Sequence, residues 1–118
     1  MLSNTRDSLC FGSAGNENAD AMYAMCILRY RKPVEEVMKV QEAHRAFQRR
    51  LLEDGILLAA GPHEPRFGGM FLVRVADDNP QAALDRIRDG DPYYQAGVAQ
   101  YEVLCWNVVI GKENLDKL

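Results

Sequence analysis

An α+β fold with the element order βαββαβ is predicted by three observations. Short runs dense in apolar, β-branched or aromatic residues stand at four places along the chain. One long stretch after the first run repeats its apolar residues at helical spacing. Proline and glycine mark the boundaries between these segments. That order is the split βαβ, or ferredoxin-like, unit, which sets two helices on one face of a four-stranded antiparallel sheet.

The first strand is expected over Met22–Tyr30 (MYAMCILRY), and Pro33 ends it because proline cannot donate to a ladder and suits a first helical turn. A single helix is expected from Val34 to Asp54. Val37, Val40, Phe47 and Leu51 recur at steps of three and four residues or their sums, while Glu35, Glu36, Glu42, Arg45 and Arg49 take other faces. Its acidic residues lead and its basic ones follow, as the helix dipole favours, and Gly55 suits the C-terminal cap. The second strand is expected at Ile56–Ala60 and the third at Met70–Val75, joined by a loop over Gly61–Gly69. Asn79 and Pro80 read as N-cap and first residue of a short helix over Gln81–Arg88. Gly90-Asp91-Pro92 breaks that helix, one further turn follows at Tyr93–Gly97, and the fourth strand is expected at Ala99–Ile110.

A chain of 118 residues, 47% hydrophobic and 26% charged, suits one domain. The expected organisation is a flexible leader over residues 1–21, a domain over 22–111 and a C-terminal tail over 112–118, with Met22 or Met25 as alternative starts. Net charge is −3, and no basic footprint for nucleic acid is visible. No apolar run reaches the roughly 18 residues of a membrane span. Cys10, Cys26 and Cys105 are widely spaced, and Cys26 and Cys105 lie in apolar strand-like runs, so reduced thiols and a cytoplasmic setting are expected.

Both faces of the first and last strands carry apolar side chains: Met22, Ala24, Cys26 and Leu28 against Tyr23, Met25 and Ile27, and Leu104, Trp106, Val108 and Ile110 against Val103, Cys105 and Val109. Two helices cover only one sheet face. A homodimer or larger homo-oligomer packed sheet to sheet is therefore expected, the alternative being the leader or tail folded over that face.

His44 stands between Val40 and Leu51 on the helical wheel, inside the apolar stripe, where packing alone would call for Leu or Ile. Imidazole titrates near neutrality and is the usual general acid or base, but the wheel by itself somewhat favours a core-edge histidine bonded to a backbone carbonyl. Asp91, before Pro92, reads first as a turn or N-cap residue, the alternative being a carboxylate that orients an imidazole. Arg66, in the glycine- and proline-rich loop, is a possible anion ligand; Arg29 and Arg31 either bind an acidic substrate or face water. His63 beside Glu64 reads as solvated, and the two histidines make a weak metal argument. No phosphate-cradling or nucleophile-elbow motif occurs.

In their order and spacing, MYAMCILRY-RKP, EAHRAFQRRLLEDGILLAAGP, GGMFLVRV and DGDPYYQAGVAQYEVLCWNVVIG resemble the YCII-related (YciI-like) family, over about Met22 to Gly111. The most specific pieces are His44-Arg45-Ala46-Phe47, Ala60-Gly61-Pro62, and Asp91-Pro92-Tyr93 with Gly97. The resemblance implies a ferredoxin-like fold in dimeric α+β barrels and an active site built on a histidine and an aspartate, which map onto His44 and Asp91. It also implies small, cyclic, often anionic substrates handled by proton transfer. The resulting expectation is an enzyme without metal or organic cofactor, using His44 and Asp91, with Arg29, Arg31, Arg66, Pro62 and Tyr93 as candidate substrate contacts. The alternatives are a non-catalytic small-ligand-binding or regulatory module, and haem chemistry on His44.

Overall fold

A computed structural model of the chain describes residues 21–76 and 78–118. The expected leader, apart from Ala21, lies outside the described residues. The elements are β1 (Met22–Tyr30), α1 (Val34–Met38), α2 (Gln41–Glu53), β2 (Leu57–Pro62), β3 (Gly68–Val75), α3 (Pro80–Gly90), α4 (Pro92–Gln95), β4 (Ala99–Trp106) and α5 (Lys112–Asp116). The four strands form one antiparallel sheet in the order β2-β3-β1-β4, the ferredoxin-like arrangement. Among the described residues no helix is long and apolar enough to cross a membrane.

Period-two alternation decides which side chains meet the helices. Ala24, Cys26 and Leu28 of β1 and Phe71, Val73 and Val75 of β3 are buried on the helical side with Val37, Phe47, Leu51, Leu84 and Ile87. Met25, Ile27, Met70, Leu72, Leu104 and Trp106 take the opposite parity and line up across the open face, Met25 opposite both Leu104 and Leu72.

The expected single helix over Val34–Asp54 is two helices. Lys39 N–H donates to Glu36 and Val40 N–H to Val37, three-residue steps that tighten the chain before His44 N–H resumes the four-residue pattern onto Val40. The C-terminus of α2 closes as expected. Gly55, at φ 78°, lets its own N–H reach Leu52 and that of Ile56 reach Leu51, the paired bonds of a Schellman cap. Strands β2 and β3 run further into the expected loop than its glycines suggested: Pro62 pairs with Gly69 and Gly61 with Met70. Gly68 packs so closely on β1 that a Cβ there would collide with the Leu28 carbonyl. Asn79 caps α3 through Ala82 N–H at 3.4 Å.

The fourth strand stops at Trp106 rather than Ile110, and Val109 and Ile110 are exposed. The segment expected as a tail holds α5 instead, docked on one corner of the open face. Tyr23 O–H donates to Asp116, Lys112 stands over the Tyr23 ring, and Arg74 donates to the carbonyls of Leu115 and Leu118. The rest of that face stays open: Met70, Leu104 and Trp106 are 41%, 47% and 45% exposed. Cys26 is a free, buried thiol, whereas Cys105, also expected reduced, is disulfide-bonded.

Candidate functional site

The site forms where α2, the α3–α4 junction and the core face of the sheet converge. On α2, the stripe that buries Phe47 and Leu51 also buries His44, which is 8% exposed. Asp91 ends α3 and caps α4; it is fully buried at 0% exposure. A buried carboxylate must collect donors, and Asp91 has three. Its Oδ1 accepts from Tyr93 N–H at 2.9 Å and from His44 Nδ1 at 2.7 Å, and its Oδ2 accepts from the Tyr101 hydroxyl. The capping and imidazole-orienting readings of Asp91 are thus both realised, by one oxygen.

This geometry sets the tautomer. A carboxylate only accepts, so the imidazole hydrogen sits on Nδ1 and the lone pair on Nε2. Nε2 has no hydrogen-bond partner among the described residues, and His44 lines a cleft of about 240 Å³. The Tyr93 ring stacks on the imidazole, centroids 3.8 Å apart and planes 5° from parallel, and Tyr30 meets Tyr93 edge-on at 6.3 Å. Burial, followed by the charge of Asp91 and the bond to it, pushes the Tyr101 phenol far above its ordinary range, so it stays a donor. Burial also raises Tyr93, with Tyr30 adding to the rise, and the Arg66 and Arg45 guanidiniums oppose it. Burial, helped by the charge of Asp91, pushes the Cys26 thiol up to about 12.

Of the candidate contacts, Pro62, Arg66 and Tyr93 line the cleft with His44. Arg29 and Arg31 do not. Arg29 stands on the open sheet face, 3.8 Å from Glu102, and Arg31 is exposed past the end of β1, its backbone N–H on the Val98 carbonyl. His63 is less solvated than expected: it tilts against Phe67 with centroids 4.8 Å apart, and its Nδ1 is buried without a partner. Sequence reasoning missed Tyr101, Tyr30, Gln41 and Gln48, and placed Arg45 on a helix face away from the apolar stripe. A signal existed for Tyr101. Its hydroxyl points to the core side of an alternating strand, and a buried tyrosine O–H needs an acceptor.

A helical layer in which a fully buried aspartate holds a cleft-lining histidine, backed by an antiparallel ferredoxin-like sheet, defines the class of this protein. Within that class the chain belongs to the YCII-related domain family, whose model matches residues 22–107. Among solved structures it is similar to 5-chloro-2-hydroxyhydroquinone dehydrochlorinase from Burkholderia phenoliruptrix AC1100, in complex with 2,5-dihydroxybenzoquinone. The TM-score is 0.61 and the identity 17%, over 75% of this chain and 96% of that one. At that identity the likeness is one of fold. No curated protein matches the sequence significantly.

Proposed function

We propose that this domain is an enzyme that moves a proton on a small cyclic or carbonyl compound, with His44 as general base and acid and Asp91 as its orienting carboxylate. The observation that carries this reading is the 2.7 Å bond from His44 Nδ1 to a fully buried Asp91. It leaves Nε2 basic at the cleft and places a negative charge where an imidazolium would form. In the step, Nε2 takes a proton from a carbon beside a carbonyl, and the C–H electron pair passes into an enolate. Return of that proton to another carbon completes an isomerisation. Departure of a leaving group with its electron pair completes an elimination, and His44 then gives the proton to solvent. Only the protein's own side chains enter this step. Elimination is also what the name of the similar dehydrochlorinase describes.

Carbon-acid exchange tests the reading without a known substrate. Small ketones, lactones and hydroxyquinones are incubated with the protein in deuterium oxide, and loss of C–H signals is followed by NMR. Exchange is expected with the wild type and a fall of about 10²–10⁴-fold with His44→Asn, the circular dichroism being unchanged. Equal rates in the two proteins would remove His44 from the chemistry.

The apolar side chains left open beside α5 support a second copy of the chain on that face. Met70, Gly61 and Pro62 border both this face and the cleft, so a partner there would stand next to the site.

A further inference from the structure

Two guanidiniums meet at the mouth of the cleft without a carboxylate. Arg45 follows His44 on α2, and Arg66 comes from the β2–β3 loop; both line the cleft. Neither has an acidic partner within ion-pair distance among the described residues, although the chain is acidic overall, at net −3. They are nonetheless held in place. With its amide oxygen turned toward them, Gln41 accepts from Arg66 Nη2 at 2.6 Å and from Arg45 Nη2 at 3.2 Å. Arg66 Nε also donates to the Tyr30 hydroxyl at 3.3 Å. A neutral amide aligns two like charges without cancelling either. Like charges do not gather at one acceptor for their mutual benefit, since each repels the other.

Each guanidinium has five N–H donors. Arg66 spends two on Tyr30 and Gln41 and Arg45 spends one on Gln41, so most of their donors remain available in the cleft that His44 also lines. Both arginines also act electrostatically on the Tyr93 phenol, whose ring lies against His44, so their charge reaches the reacting end of the cleft.

We propose that Arg45 and Arg66, aligned by Gln41, form a carboxylate clamp, and that the substrates of this site are small monocarboxylates anchored there with their reacting carbon toward His44. This deepens the acid–base reading by naming the substrate class, and it rests on that reading only for its purpose. The planar fork of arginine matches a carboxylate edge. The cleft, at about 240 Å³, falls below the roughly 300–1,000 Å³ of drug-sized sites, which limits the substrate to a single ring or short chain.

Benzoate and benzamide share a shape and differ in charge, so they test the clamp. Titration into the ¹⁵N-labelled full chain is expected to show benzoate shifting the Nε–H signals of Arg45 and Arg66, with benzamide silent. Arg66→Gln and Arg45→Gln should each weaken benzoate binding about tenfold. Gln41→Glu places one of the protein's own carboxylates between the guanidiniums and should abolish binding while the fold persists. His44→Asn should still bind benzoate, so a failure of the acid–base reading would leave this result standing. The clamp is overturned if benzamide binds as well as benzoate, if the arginine variants bind benzoate like the wild type, or if neither acetate nor benzoate shifts the arginine signals at millimolar concentration.

Discussion

Replacing Tyr101 with Phe removes one heavy atom, the hydroxyl oxygen that donates to Asp91 Oδ2. The ring itself keeps its edge contacts with Phe71 at 6.2 Å and Tyr94 at 5.7 Å, so packing is nearly unchanged. What is lost is a buried hydrogen bond to a charged group, which contributes about 1.5–3 kcal/mol. Asp91 is fully buried, so water does not replace the donor without opening the core. With a urea dependence of about 1–3 kcal/mol per molar for a small domain, the unfolding midpoint should fall by roughly 1 M at unchanged slope. In an Asp91→Asn background the same substitution removes only a bond between neutral groups, worth about 0.5–1.5 kcal/mol. The double-mutant cycle should therefore show coupling of about 1 kcal/mol or more. A Tyr101→Phe protein within about 0.5 kcal/mol of wild type, or one that loses equally in both backgrounds, would refute the view of Asp91 as a buried charge sustained by its donors.

Three further outcomes are expected. Gly68→Ala sets a Cβ against the Leu28 carbonyl, 2.9 Å from its carbon, and should destabilise by about 1–3 kcal/mol in thermal unfolding as β1 and β3 are forced apart; a neutral result would mean that the strands yield there freely. Cys26 should resist alkylation in the native state and react on unfolding. Its raised folded pKa means that stability is intact below about 9 and declines as pH rises toward about 12, by about 1.4 kcal/mol per unit; Cys26→Ala should flatten this decline, and an unchanged slope would contradict it. Leu104→Lys, on the open sheet face, should convert a dimer to a monomer in light scattering if a second copy packs there, and an unchanged mass would exclude that packing.

Alternation and turn chemistry made much of the fold legible. β1 has the bounds its apolar run suggested, and its two faces divide as period two requires. The break between α1 and α2 was hidden because Val37, Val40 and Phe47 keep helical spacing straight through it; a three-residue step costs a pattern of apolar residues almost nothing. Gly61, Pro62, Gly68 and Gly69 read as loop punctuation, yet three of them pair across a hairpin, and Gly68 is small because a backbone carbonyl lies against it. His44 was visible as an anomaly, a histidine in an apolar stripe, whereas Asp91 before proline read as an ordinary turn or cap residue and was singled out by the family resemblance. Their contact was not visible, because it spans 47 positions and depends on how α3 ends. Arg45 escaped for the opposite reason: alternating charge on a helix usually means solvent, and its meeting with Arg66 is made by a loop whose path only the folded chain reveals.

The Oδ1 atom that holds His44 is the same atom that caps α4. The aspartate is needed to start that helix whether or not the proposed proton transfer takes place, whereas nothing in the fold demands an imidazole on α2. The presence of Asp91 alone therefore says nothing for or against the proposed chemistry; the side chain at position 44 does.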